Sequence, residues 1–351
     1  MKKFLKGKSG YTWSTVALVV VLYMIMEIWL ATGSMSSLLK GLLVPLCVYV
    51  ILAVSLNLTV GILGELSLGH AGFMCVGAFV AAFFSKVNVE NFGEVPSFII
   101  GLLLAVIVSG IFGIIIGIPV LRLEGDYLAI VTLAFGEIIK NIVNVLYIGR
   151  DSKGFHFSLK DSLSLNLEEG GEVILSGAQG ITGTPRVASF TIGVILVIIT
   201  VVIVLNLVHS RAGRAIMATR DNHIAAAATG INITKYKLIA FAISASLAGM
   251  AGALYSHNLA TLNGKTFSYN LSILVLVFVV LGGIGRIRGS IIAAIILTLL
   301  PELLRAVNDY RMIIYSIVLI VMMLINWSPK GQLLKARLVN KLKTIVNRKG
   351  V

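Results

Sequence analysis

Three side chains that could hold a polar solute or couple an ion, Glu65, Ser67 and His70, lie within six residues of one another in an otherwise apolar part of the chain. Four glycines are interspersed with them: Gly61, Gly64, Gly69 and Gly72. Glycines let a helix break, and breaks at membrane depth occur only where protein covers them or they line a cavity. The segment therefore predicts a covered, broken helix whose polar side chains either line a translocation path or hydrogen-bond a neighbouring helix.

A second apolar stretch contains two more candidates for lining a path, Thr132 and Glu137. Glu137 and Lys140 are three residues apart, so they share one face of a helix and can form an ion pair. We therefore expect a structural role for Glu137 to compete with a role in transport. Asp126, at the start of the stretch, is expected to cap the helix at the membrane interface.

The most polar interval of the chain runs from His209 to Lys237 and separates two long apolar segments. Within it, the alanines at 225–228 predict the continuation of a helix, Gly230 predicts its end, and residues 232–234 predict a turn into a second helix. A surface helix held between two membrane spans would move together with both of them. We interpret the interval as a docking surface for a partner, and the alternative is a solvated loop.

The composition excludes a soluble fold, because 58% of the 351 residues are hydrophobic and only 13% are charged. Several apolar runs exceed the roughly 18 residues that are typical of a membrane helix. We therefore predict an all-α polytopic membrane protein with about ten transmembrane helices, some of them broken or re-entrant. The predicted spans lie near residues 15–32, 38–58, 61–85, 97–120, 127–148, 187–209, 236–257, 270–284, 289–306 and 312–327.

The net charge of +14 is concentrated in three places: before the first span, between His209 and Lys237, and after the last span. The positive-inside rule places all three in the cytoplasm, so the charge indicates topology and not nucleic-acid binding. Residues 151–172 carry five acids against two bases, which predicts an outside location. The predicted regions are a cytoplasmic segment (1–14), a membrane domain (15–327) with an extracytoplasmic loop (149–186) and a cytoplasmic loop (209–237), and a basic cytoplasmic tail (328–351).

Neither an enzyme nor a metal site is predicted. Both cysteines, Cys47 and Cys75, fall in apolar segments and are expected to be packed thiols. Gly7-Lys8-Ser9 resembles the end of a phosphate-binding loop, but the residue five positions before Gly7 is Lys2 and not the glycine that such a loop needs. The energy for any transport must therefore come from a partner.

Four stretches carry a family resemblance that extends over nearly the whole chain. They are LSLGHAGFMCVGAF (66–79), GDYLAIVTLAFGEI (125–138), the interval that begins SRAGRAIMATRDNH (210–254) and VLGGIGRIRGSIIAA (280–294). Together they resemble the permease subunits of branched-chain amino-acid ABC importers, which transport leucine, isoleucine or valine.

The resemblance implies that residues 211–237 contain the coupling helix that docks on an ATPase. The common pattern of that helix is Glu-Ala-Ala, three further residues and Gly. Ile224, Ala225, Ala226 and Gly230 occupy these places here, so the glutamate is absent. The implied coupling residues are Arg214, Arg220, Asp221, Ala225, Ala226 and Gly230.

The resemblance also implies the partners and the location. A second homologous permease, two cytoplasmic ATPase subunits that bind ATP, and an extracytoplasmic binding protein that contacts residues 149–186 would complete the importer. This chain would need no cofactor and would lie in a prokaryotic inner membrane with both termini in the cytoplasm. The alternatives are a related urea or nucleoside importer and, in a different class, an ion-coupled secondary transporter that uses Glu65, His70 and Glu137.

Overall fold

The computed structural model describes residues 2–304, apart from residues 34, 124 and 169, together with six positions near the C-terminus (313, 316, 317, 320, 321 and 324). Apart from those positions, the predicted tenth span (312–327) and the basic tail (328–351) lie outside the described residues.

Eleven α-helices and five short strands form the described part of the chain. The helices are α1 (Lys2–Ala31), α2 (Ser37–Asn57), α3 (His70–Phe92), α4 (Glu94–Val120), α5 (Asp126–Val145), α6 (Phe190–His209), α7 (Arg211–Asp221), α8 (His223–Ala228), α9 (Ile233–Ser256), α10 (Tyr269–Gly282) and α11 (Ile287–Leu303). The strands are β1 (Tyr147–Asp151), β2 (Gly154–Ser158), β3 (Glu172–Ser176), β4 (Ile181–Thr182) and β5 (Thr261–Leu262).

The predicted class, an all-α polytopic membrane protein, is confirmed. Seven described helices are long and apolar enough to cross a membrane: α1 to α6 and α9. α10 is apolar but has only 14 residues, and α11 has 17. The count of ten spans therefore stays a prediction.

The predicted span 61–85 is wrong as a single helix. α2 continues as a π-helix over Leu58–Leu63, and a non-helical stretch then separates it from α3, which begins at His70. The reason is the glycine spacing, because Gly64 ends the π-helix with a φ of 86° that side chains other than glycine rarely adopt. We refer to residues 58–69 as the break.

α2 lies at the centre of the bundle, and nearly every residue from Leu43 to Leu63 is buried. α3, α4 and α9 pack closely against one another because small residues line their contacts. Gly77 of α3 faces Gly249 of α9, and Gly252 lies against the Met74 carbonyl, with too little space in either place for a Cβ atom.

The two ends of the bundle differ. At one end, which we call the basic end, α7 and α8 connect α6 to α9. At the other, which we call the sheet end, β1 pairs antiparallel with both β2 and β3, and β4 pairs with β5. The sequence analysis predicted only a loop over 149–186, because these strands are short and their pattern is irregular. The Asp151 carboxylate shapes the β1–β2 turn by accepting hydrogen bonds from the backbone N–H of Lys153 (2.8 Å) and Gly154 (3.2 Å).

We predict that Gly252→Ala lowers the melting temperature of the purified protein in detergent. The added methyl group would overlap the Met74 carbonyl, and such overpacking costs about 1–3 kcal/mol. Gly41→Ala is the matched control, because Gly41 is also helical but a Cβ atom added to it would have no atom of a neighbouring element within 4 Å. The control should melt at the same temperature or slightly higher, and equal melting of both variants would contradict the proposed packing.

Candidate functional site

The break leaves backbone polar groups without their usual helical partners inside a membrane-embedded bundle. Those groups that are buried need hydrogen-bond partners, because an unpaired buried polar group costs free energy. Two neighbouring helices supply them on the α3 side. The N–H of Leu68 donates to Thr132 Oγ1 of α5 at 3.0 Å, and the N–H of Ala71 donates to Ser272 Oγ of α10 at 3.0 Å.

On the α2 side, the loop that joins α10 to α11 packs directly on the break. Gly285 donates its N–H to Asn57 Oδ1 at 2.8 Å, and Asn57 Nδ2 donates to Ser290 Oγ at 2.8 Å. Gly61 approaches Gly285 so closely that a Cβ atom on Gly61 would overlap its backbone. The glycine-rich motif at 280–294 is therefore a covering for the break.

His70 occupies the first position of α3 and is 98% buried, with 2% of its surface exposed. Its Nε2 lies 3.1 Å from Ser55 Oγ and 3.3 Å from Ser244 Oγ. Both hydroxyls already donate their hydrogens to carbonyl oxygens, Ser55 to Leu52 and Ser244 to Ser55. The hydroxyl oxygens can therefore only accept from His70, which assigns the imidazole hydrogen to Nε2.

Two buried polar atoms beside the break have no hydrogen-bond partner among the described residues: Ser67 Oγ and His70 Nδ1. With Nε2 protonated, Nδ1 of a neutral imidazole is an acceptor. These two atoms could accommodate a water molecule or a polar group of a solute.

Glu65 forms an ion pair with Lys237 at the start of α9, and each side chain is about one-sixth exposed, 15% and 16% respectively. The sequence alone did not identify the bonding partners of Glu65 and His70. The structure shows that Glu65 bonds Lys237 and that His70 lies beside Ser55 and Ser244. This arrangement agrees with the alternative in which both residues bond neighbouring helices. A direct role in the path stays a prediction.

Thr132 and Glu137 both lie on α5, but Thr132 contacts the break and Glu137 contacts the start of α10. Thr132 is fully buried against the break, where Gly69 approaches its backbone. Glu137 forms the predicted ion pair with Lys140, and its other oxygen accepts the N–H of Tyr269 at 3.0 Å. Thr132 therefore contacts the break at Leu68 and Gly69, between Ser67 and His70 in the chain, whereas Glu137 bonds the start of α10.

The interval predicted to dock a partner forms two helices, and not one, because Asn222 interrupts it. Asn222 is extended (φ −159°, ψ 104°), and its side chain caps α8 by accepting the N–H of Ala225 at 3.0 Å. The predicted end at Gly230 is confirmed by its φ of 84°. The turn predicted over 232–234 lies instead at 229–232, because Asn232 caps α9 and that helix begins at Ile233.

The six predicted coupling residues differ in exposure. Ala225 and Gly230 are exposed, as is Arg214, which donates to the His209 carbonyl at 3.2 Å. Ala226 is buried, so it shapes α8 and cannot contact a partner directly. Ile224, by contrast, is 71% exposed and forms an apolar outer face with Ala225 and its neighbours.

Arg220 and Asp221 form a pair at the end of α7. Asp221 Oδ1 accepts from Arg220 Nε at 3.0 Å and from Nη2 at 2.8 Å, while Arg220 Nη1 donates to the Gly61 carbonyl in the break at 2.9 Å. The sequence analysis missed this contact and the role of Lys237, because no local pattern connects residues so distant in the chain.

A membrane-embedded helical bundle with a covered break and a surface-helix pair between two spans defines the class of a transport permease. The chain belongs to the family described as "Branched-chain amino acid transport system / permease component", which it matches over residues 38–325. The resemblance drawn from the four sequence stretches is thereby confirmed. Such a chain is the membrane-embedded component of an ABC transporter and works with partner subunits.

Named relatives agree with this assignment. The chain is 35% identical over 306 residues to the high-affinity branched-chain amino acid transport system permease protein LivM of Salmonella typhimurium, covering 85% of this chain and 70% of that protein. It is 34% identical over 305 residues to LivM of Escherichia coli, covering 84% and 70%. A more distant match, 26% over 322 residues, is the ribose import permease protein RbsC of Haemophilus influenzae, covering 89% and 91%.

We predict that Thr132→Val destabilises the protein, because it leaves the N–H of Leu68 unpaired in a partly buried position. The cost of such an orphaned donor is about 1–3 kcal/mol. Thr132→Ser keeps the hydroxyl and is the matched control. Thermal unfolding of both variants in detergent should separate them, and a valine variant as stable as the serine variant would show that the hydrogen bond contributes little.

Proposed function

We propose that this chain is the permease subunit of an ATP-driven importer that translocates branched-chain amino acids delivered by an extracytoplasmic binding protein. The observation that carries the proposal is the α7–α8 segment, an exposed helix pair held between the spans α6 and α9 and bonded to the break. The family match and the LivM relatives support the substrate class.

Two surfaces support the proposed partners. At the basic end, the exposed apolar face of α8 around Ile224 suits an ATPase subunit, because exposed apolar patches commonly mark interaction sites. At the sheet end, a polar pocket of about 310 Å³ between α3 and the β1–β3 sheet suits a binding protein with complementary charges. Its charged lining residues are Lys86, Glu90, Arg150, Asp151 and Glu172.

The proposed importer also contains a second homologous permease and a second ATPase. ATP would be bound by the ATPase subunits, and this chain would hold neither a cofactor nor a catalytic residue. The excess of basic residues in the α7–α8 interval supports a cytoplasmic basic end, with both termini in the cytoplasm of a prokaryotic cell.

In the proposed mechanism, ATP-driven closure of the ATPase pair displaces α7 and α8. Because α7 follows α6 after Ser210 and α9 follows α8 after residues 229–232, the displacement reaches both spans through short linkers. Alternation between inward-open and outward-open states then follows from rocking of the helix bundle around the path. The amino-acid assignment is favoured over the urea and nucleoside alternatives by the names of the relatives.

The test is affinity purification of the native complex followed by reconstitution in liposomes. We expect two ATPase subunits and a second permease to purify with this chain, and ATP-dependent uptake of radiolabelled leucine, isoleucine or valine when the binding protein is added. Uptake of urea, a nucleoside or ribose alone would redirect the substrate assignment. Uptake driven by a proton or sodium gradient without ATPase subunits would refute the importer.

We predict that Ile224→Asp reduces the affinity for the ATPase at least about tenfold, which is roughly 1.4 kcal/mol, because it places a charge in an apolar contact. Gly230→Pro and Ala226→Glu should abolish uptake for another reason while membrane insertion is retained. Both would distort α8, because proline cannot adopt the φ of 84° at Gly230 and a glutamate does not fit at the buried position of Ala226. Thr234→Asp is the control, since it adds the same charge at an exposed position of the first turn of α9. ATPase retained by the Ile224 variant in a pull-down would exclude docking on α8.

A further inference from the structure

Two cations flank α8 and bond the same break: Arg220 at the end of α7, whose side chain is 38% exposed, and Lys237 at the start of α9. We infer that they are positioning residues that transmit displacement of the α7–α8 segment to the break, and that Arg220 does so instead of contacting the ATPase. The inference rests on the proposed function, since it names the residues through which ATP-driven motion reaches the interior of this permease.

Arg220 holds the α2 side of the break. Its Nη1 donates to the Gly61 carbonyl at 2.9 Å, near the end of the π-helix, where carbonyl groups lack helical partners and the helix dipole is negative. The Arg220 side chain also fills the space beside Gly64, so that a Cβ atom there would overlap it. Asp221 accepts two hydrogen bonds from the same guanidinium and fixes its direction.

Lys237 holds the middle of the break through its ion pair with Glu65. Both groups are largely screened from solvent, so moving either one alone would leave a charge without its partner. Because Lys237 lies in the first turns of α9, any shift of the α8–α9 connection changes this pair. The break is therefore bonded to a residue before α8, Arg220, and to a residue after α8, Lys237.

Beyond these two contacts lies a cluster of buried polar side chains. His70, five positions after Glu65, lies within hydrogen-bond distance of Ser55 and Ser244. On the other side of Glu65, Gly61 lies against Gly285. The break is short, so a change at Gly61 or Glu65 must alter the position of Ser67 and of the start of α3. Arg214 differs from Arg220, because among the described residues its side chain bonds the His209 carbonyl at the end of α6 and no group of the break.

The first arm of the test uses the full transporter in liposomes and compares uptake with ATP hydrolysis. Arg220→Gln should keep its ATPase subunits and hydrolyse ATP, but uptake per ATP should fall about tenfold, within the usual range of coupling between sites. Arg220→Lys should be intermediate, because lysine can donate to Gly61 but cannot also make both bonds to Asp221. Lys235→Gln is the control, an exposed lysine two residues from Lys237.

The ion pair is tested by charge exchange. Glu65→Lys and Lys237→Glu should each lower uptake per ATP, and the double exchange should restore most of it. No recovery in the exchanged pair would show that the two charges do not act together. Loss of ATPase co-purification with Arg220→Gln would show that Arg220 contacts the ATPase and would overturn the inference, as would unchanged uptake per ATP.

The second arm needs no transport activity, so it separates failure of the inference from failure of the proposed function. Ser67→Cys is introduced in the full chain with Cys47 and Cys75 replaced by alanine, and its labelling by a polar maleimide is followed in liposomes. Arg220→Gln or Glu65→Lys should accelerate labelling several-fold, because the break loosens, whereas Lys235→Gln should not. Equal labelling rates in all variants would refute a positioning role even if wild-type protein shows no uptake.

Discussion

The need to pair every backbone polar group at membrane depth governs this molecule, because the chain interrupts its own central helix. A continuous α2–α3 helix would satisfy its backbone internally. The end of the π-helix, residues 64–69 and the first turn of α3 cannot do so. Other elements complete the pairing: Arg220 from α7, Thr132 from α5 and Ser272 from α10. Each of these elements must stay close to the break, which explains why segments far apart in the chain converge there.

The same constraint makes the break a point at which the bundle can change shape. Helices transmit motion as rigid units, whereas a non-helical stretch can change shape at a cost set by the few hydrogen bonds that hold it. Here those bonds come from different helices, so relative movement of the helices acts on the break first. The unpartnered atoms Ser67 Oγ and His70 Nδ1 lie in this stretch, where a changed backbone would alter their surroundings.

Local signals in the sequence were sufficient for the class, most long helices and the position of the break. Glycine spacing around Glu65 and His70 indicated an interruption, and Gly230 marked the end of its helix correctly. What could not be predicted depends on pairing across the chain: Glu65 and Lys237 are 172 residues apart, and no periodicity connects them. The cap at Asn222 was missed because the flanking residues all favour a helix, and the side chain decides the interruption.

In the α7–α8 segment and at the start of α9, apolar and charged side chains make different kinds of contact. The outward face of α8 is apolar, with Ile224 exposed and no glutamate in the place where the common coupling pattern has one. The charged residues Arg220 and Lys237 instead bond groups of the break. An apolar contact tolerates small shifts between partners, because the hydrophobic effect is non-directional, whereas hydrogen bonds and ion pairs are lost when their geometry changes. A segment with this arrangement can adjust to the surface of its partner while keeping a defined connection to the buried break.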